Sequence, residues 1–347
     1  MLRGHTNTVR AIVYSPQGHQ IASSGSETTV RLWSVESGDC LHVMTGHSGP
    51  VEDLAFSPQG HQLASASQDK SLRLWNVATG DCSATLDGHR GMVVGVAYSP
   101  DGRQIAACGD STIRLCGVEK GELHQTQSHE NWVRSVAYSP QGHQLASVGD
   151  KTVRLWDVEE GECRFILIGH SDNVWRVAYS QKGDLLASGS LDKTVRLWDT
   201  VSGQCRTVIY NFQDVVRAVD WNTTSDGMYL VTGCDDGSVL KWQVADEDGQ
   251  CRVRLQWSAT NGALTMTGAS IQDVRGLTQT NKQLLKQRGA IGEPKPVFHE
   301  ASKKVMTMAS VVSKLKQPSD RVVQDPSSNV GIPSEQTNPQ VEETDDS

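Results

Sequence analysis

Phenylalanine is scarce in this chain of 347 residues, with four against nine Trp and 32 Gly, a mix that points to repeated turns. Apolar runs are short too. None approaches the roughly 18 residues that would span a bilayer, and the opening Met1-Leu2-Arg3-Gly4-His5 lacks the apolar centre of a signal peptide. A soluble cytoplasmic protein without membrane association is therefore expected. A concentrated basic surface is also missing. The formal charge is -8, and most of it sits in residues 318–347, where Asp320, Asp325, Glu335, Glu342, Glu343, Asp345 and Asp346 face only Arg321. The near-neutral remainder argues against nucleic acid as a partner, because phosphates are held by dense Lys and Arg.

Catalytic signatures are absent as well. There is no His-Glu-x-x-His, Gly-x-Ser-x-Gly, Cys-x-x-Cys or Gly-x-x-x-x-Gly-Lys-Ser/Thr run. Neither enzymatic activity, a metal nor a cofactor is expected.

What the chain does contain is a repeat. Gly-His pairs stand at Gly4/His5, Gly46/His47, Gly88/His89 and Gly169/His170, with Ser128/His129 as a variant. Each block ends in Arg-Leu-Trp or a close relative, at Trp33, Trp75, Cys116, Trp156, Trp198 and Trp242. Six blocks thus share a period of about forty residues. Between Tyr14–Cys40 and Phe56–Cys82, 15 of 27 positions are identical. Within a block, short alternating apolar stretches are separated by turns such as Ser15-Pro16-Gln17-Gly18, which predicts four antiparallel strands. In block two these fall at Val51 to Phe56, Gln62 to Ser67, Ser71 to Asn76 and Cys82 to Leu86. A unit of that size cannot bury both faces alone, so the units must stack, and stacking around an axis leaves only short edges exposed.

Gly-His, Ser99-Pro100-Asp101-Gly102, Leu186-Ala187-Ser188-Gly189-Ser190 and Val195-Arg196-Leu197-Trp198-Asp199 together resemble WD40 repeats. The resemblance covers residues 4 to 257 and implies an all-β propeller with six clear four-stranded blades. It also implies a His, Ser, Asp and Trp hydrogen-bond network in each blade, carried here by His47, Ser65, Asp69 and Trp75, by His129, Ser147, Asp150 and Trp156, and by His170, Ser188, Asp192 and Trp198. Block one has Glu27 at the Asp place; block three has Cys116 for Trp and Ala107 for Ser; block six has Phe212 for His. Blades three and six are therefore expected to be less tightly knit.

The repeats run through residues 1–257. Either six blades close on themselves or a degenerate seventh, within 258–290, completes the ring; the weak alternation of Leu264, Met266 and Ile271 favours the second. Helices are predicted near 278–288 and 299–316, the latter amphipathic through Val305, Met308, Val312 and Leu315 and occupying the 291–317 region. Residues 318–347, acidic and rich in Pro and Ser, are expected to be a disordered tail. The near-identical repeats and Leu284-Leu285-Lys286-Gln287-Arg288-Gly289-Ala290 also resemble the WD40 portions of fungal NACHT-type signalling NTPases. That resemblance implies a sensor portion of a larger protein. Cys40, Cys82, Cys163, Cys205 and Cys251 recur at the start of each fourth strand and are expected to be unpaired core thiols.

One irregularity locates a candidate surface. Apolar residues recur four, seven and nine positions after the His place, and the odd step between four and seven predicts a β-bulge in the innermost strand. The residue five positions on is then free of core duty, and there the blocks disagree: Arg10, Glu52, Val94, Arg134, Trp175 and Arg217. With Met92 and Trp132 from two places earlier, Arg10, Arg134, Trp175 and Arg217 are the expected contacts of a protein or peptide partner, given the Trp and Arg character of binding hot spots. A non-catalytic recognition module on a monomeric propeller is the reading that follows. A small-ligand or enzyme site in the channel is the alternative, which the repeat does not furnish with converging polar groups.

Overall fold

The computed structural model describes residues 2–119, 123–129, 131–210, 212–247 and 250–259. The possible seventh blade, the two helices and the acidic tail lie outside the described residues. Among the described residues, twenty-four strands, β1 (Val9–Tyr14) to β24 (Gln250–Ala259), form six four-stranded antiparallel sheets, each built from four consecutive strands. In the second sheet the strands are β5 (Val51–Phe56), β6 (Gln62–Ser67), β7 (Leu72–Asn76) and β8 (Cys82–Leu86). Only the start of the third differs, by one residue, from what the alternation predicts. The first strands of the other blades are β1, β9 (Val93–Tyr98), β13 (Ser135–Tyr138), β17 (Val174–Tyr179) and β21 (Val216–Thr224), and together these innermost strands line a central channel.

The bulge falls where the phase break places it. Pairing of the first strand with the second skips a residue between Val9 and Ala11, Val51 and Asp53, Val174 and Arg176, and Val216 and Ala218, and β9 shifts register beside Val94. The skipped residues Arg10, Glu52, Val94, Trp175 and Arg217 are thereby released from the ladder.

Each blade buries one face on its successor. Val51 and Leu54 of blade two pack with Ala22, Val30, Leu32 and Met44 of blade one, and four further clusters repeat this contact up to the junction of blades five and six. No such cluster joins blade six to blade one among the described residues. Leu54 is 2% exposed, whereas Ile12 at the same repeat position is 61% exposed, and Val9 and Tyr14 are 41% and 62% exposed. On the other side of the seam, Val239 stands 39% exposed where Val30 is fully buried, and Lys241 replaces Leu32. The six blades thus leave an apolar face uncovered, and the self-closed ring of six is not what these residues form.

Removing equivalent side chains should therefore have unequal effects. Leu54→Ala should cost about 2–5 kcal/mol through lost burial and a residual cavity, while Ile12→Ala should cost less than about 1 kcal/mol. Urea melts of the two variants check this, and equal losses would mean that the seam is covered in solution.

Candidate interaction site at the channel mouth

The loops around the mouth are set by the hydrogen-bond chains behind them. In blade two the Trp75 indole N–H donates to Ser65 Oγ (2.8 Å), Ser65 lies 2.6 Å from His47 Nε2, and His47 Nδ1 lies 2.8 Å from Asp69. With the Ser hydroxyl donating to Nε2 and Nδ1–H donating to the carboxylate, each buried polar group is satisfied. Blade five repeats the chain through Trp198, Ser188, His170 and Asp192 at 2.8, 2.7 and 2.8 Å. In blade one Glu27 takes the Asp role, reaching His5, which also contacts Ser23. Each Asp also ties the loop after the His, as Asp69 accepts from the Ser48 N–H at 2.9 Å. The Gly before the His has a packing reason: a Cβ on Gly46, at φ 149°, would fall 2.7 Å from an Arg73 guanidinium nitrogen.

The third expected set is incomplete. Trp156 and His129 both reach Ser147, at 2.7 Å each, but His129 Nδ1 has no partner, and Asp150 instead accepts from Thr152. The cause is a hairpin one residue shorter: Trp and Ser are nine residues apart in blade four and ten in blades two and five. Blade three has the same short hairpin, with Asp110 itself in the left-handed turn position at φ 43°, and His89 Nδ1 is likewise unpartnered. Blade six compensates differently. Phe212 is buried with its ring 5.5 Å from that of Trp242, whose indole N–H keeps Thr232 as acceptor at 3.1 Å.

These differences appear in the acid-base behaviour. Burial disfavours ionised Asp69, but hydrogen bonds from Ser71, Ser48 and His47 outweigh it and hold its pKa well below the usual range. Burial, then the nearby Arg114 charge, pushes His89 down to about 4, and burial and Arg154 do the same to His129.

At the mouth, Arg10, Met92, Trp132, Arg134, Trp175 and Arg217 all line one depression of about 630 Å³, with Glu52, Gln68, Val94, Arg176 and Asp235 among their neighbours. The guanidiniums of Arg134 and Arg217 lie 4.0 and 3.9 Å from the Trp175 ring centroid. Two guanidiniums so close to one centroid would overlap on a single face, so they clamp the indole from opposite sides. Asp235 grips Arg217 with two hydrogen bonds, from Nε at 2.8 Å and Nη2 at 2.7 Å. Arg10 donates to Ser26 and reaches Glu52 at 3.4 Å. Trp132 is 43% exposed. Below the mouth, Arg176 of blade five spans the channel to Asp53 of blade two at 3.1 Å, and Asp53 also accepts from the Val96 N–H. Sequence reasoning missed this brace. Its signal is a pair of opposite charges, three blades apart, at a position that otherwise carries Ala11, Gly95, Ser135 and Ala218.

The repeat family described as WD domain, G-beta repeat, matches residues 1–34, 38–76, 80–116, 121–157, 161–199 and 203–243. This chain belongs to the WD40-repeat family. A "WD repeat-containing protein 26 homolog" of Arabidopsis thaliana is 45% identical over 42 residues, 12% of this chain and 7% of that protein. A "Transcriptional corepressor LEUNIG_HOMOLOG" of the same plant is 42% identical over 45 residues, 13% of this chain and 6% of that protein. The match thus spans under a tenth of the length of these curated relatives and is about one repeat long. The solved structure described as "Structure of U3-55K" superposes with a TM-score of 0.67 over 75% of this chain and 84% of its own, at 22% identity, which speaks for the fold alone.

The WD40 cysteines correct one expectation. Cys40, Cys82 and Cys205 are exposed and Cys163 and Cys251 half-buried, because the fourth strand is the outermost of its blade and has solvent beside it; only Cys108 is buried. Among the described residues no cluster of three His, Cys, Asp or Glu is placed to hold a metal, and no helix is long and apolar enough to cross a membrane.

The two kinds of histidine should respond oppositely to the same change. The pKa of His89 is held down to about 4 in the fold, while the unfolded chain protonates it near 6.5, so the unfolded state gains protons first and the stability of the fold declines by on the order of 1–3 kcal/mol as pH falls from about 6.5 to 4. His89→Phe, imitating Phe212 beside the small Cys116, should match or exceed the wild type at pH 7 and flatten that decline. His47→Phe should cost about 2 kcal/mol at pH 7 by orphaning Ser65 and Asp69. Urea melts at pH 7, 5.5 and 4.5 distinguish these outcomes.

Proposed function

We propose that this WD40 chain is a non-catalytic recognition module that holds a protein or peptide segment of a partner over the channel mouth. The supporting observation is the convergence of Arg10, Met92, Trp132, Arg134, Trp175 and Arg217 on one depression, each from a position the fold leaves unconstrained. The exposed Trp132 offers apolar area beside cations, and the Arg134–Trp175–Arg217 stack is already formed without a partner. Little conformational entropy is then lost on binding. A depression of this size suits a few residues of an extended segment rather than a whole globular face. Catalysis lacks support in the same geometry: the carboxylates of the mouth and brace are engaged with arginines, and the buried His47 and His170 are held between a hydroxyl and an Asp within blades two and five, away from the residues that line the mouth.

The test is affinity capture with the wild type beside the triple variant Trp132→Ala, Trp175→Ala, Arg134→Ala, after circular dichroism shows both equally folded. Partners retained by the wild type and lost by the variant are expected. Equal capture by both would move the binding surface away from the mouth.

A further inference from the structure

The guanidiniums around the mouth are not all matched by an acid. Four guanidiniums line it, Arg10, Arg134, Arg176 and Arg217. Three have an acid of their own: Arg10 with Glu52, Arg176 with Asp53, and Arg217 with Asp235. Arg134 has none among the described residues. Its company is the face of Trp175, and its Nε is buried without a hydrogen-bond partner. The Trp175 indole N–H beside it is also without an acceptor. Nearly all buried polar groups in a folded chain find partners; the Nε atoms of Arg31, Arg73, Arg154 and Arg196 lack one too, but none of these lines the mouth. Burial and the like charge of Arg217 weaken the hold of Arg134 on its proton, although at neutral pH it remains a cation.

Resting on the reading of the mouth as a peptide site, we infer that its occupant is an extended peptide carrying a single Asp or Glu side chain, whose carboxylate pairs with Arg134 while an adjacent apolar residue lies on Trp132 and Met92. The stoichiometry of charge selects this ligand. One uncompensated guanidinium matches one monoanionic carboxylate, which a planar fork can grip through two parallel hydrogen bonds. A phosphorylated side chain brings nearly two negative charges and calls for more than one free cation, and a nucleic acid calls for a row of them. Clamped on the indole, Arg134 needs no rearrangement to receive the carboxylate, and the neighbouring Trp132 excludes water from the pair.

The experiment uses the full chain and four pools of fluorescein-labelled nonapeptides, all acetylated and C-terminally amidated so that no terminal carboxylate competes. The central residue is fixed as Glu, Gln, phosphoserine or Lys, and the flanking positions are randomised. Fluorescence anisotropy should show the Glu pool binding about tenfold or more tighter than the Gln pool. Arg134→Gln should erase that difference, Arg134→Lys should keep part of it, and raising salt from about 0.05 to 0.5 M should narrow it. Thermal melts of each variant verify the fold. Equal binding of the Glu and Gln pools would overturn the carboxylate assignment, and tighter binding of the phosphoserine pool would replace it with a phosphate site. In either case the mouth itself stands if Trp132→Ala weakens every pool. If Trp132→Ala weakens none, or no pool binds, both the carboxylate assignment and the peptide-site reading fail.

Discussion

A blade of four short strands has two faces and almost no interior, so its stability is borrowed from its neighbours. Leu54 is buried because Ala22, Val30, Leu32 and Met44 of the preceding blade lie on it, and the same contact recurs at five junctions. Everything else about the molecule follows from that dependence. The innermost strand must present apolar residues on both sides of the sheet, and it does so across a bulge that flips the phase of alternation. The bulge in turn frees one residue per blade at the mouth. The same packing that makes the ring also manufactures its variable positions.

The dependence has a converse at the seam. Val9, Ile12 and Tyr14 have the residue types of a buried face, yet they are exposed because nothing among the described residues stands where blade one's predecessor would. The side opposite is less uniform: Lys241 occupies the Leu place and its ammonium lies 3.8 Å from the Tyr229 ring centroid. A contiguous apolar face of this kind is a feature that marks an interaction surface or an aggregation liability. Hydrophobic area is conferred by sequence, whereas burial is conferred by company.

Much of the fold was legible because the chain writes it six times. Strand limits, the turn glycines, the bulge and the free position after it all came from comparing blocks, and the six residues chosen for the mouth do surround one depression. Three features were not read. The expected His129–Asp150 bond fails because a hairpin shortened by one residue carries the acid past its partner, and that signal was present in the 41 residues from His129 to His170, one fewer than the 42 from His47 to His89. The cysteines were assigned to the core by recurrence alone, although recurrence in an outermost strand says nothing about which side meets solvent. The Arg176–Asp53 brace joins blades that are far apart in sequence, and only the curving of the blades around the channel brings their charges together.

Repetition also separates what folding needs from what it tolerates. Where all six blocks agree, as at the Val four places after the His position, the residue is buried in every blade but the first, whose neighbour is missing. Where they disagree, as at Arg10, Glu52, Arg134, Trp175 and Arg217, packing offers no reason for the choice, and only Val94 of that set leans on a core cluster. Yet the choices are not independent of one another. Glu52 meets Arg10, Asp235 holds Arg217, and the indole of Trp175 lies between two guanidiniums supplied by the blades on either side. Random surface residues would not arrange themselves into pairs that leave a single cation over. A set that is free with respect to folding but mutually fitted, with Arg134 left without an acid, is what the proposed peptide site asks of this fold.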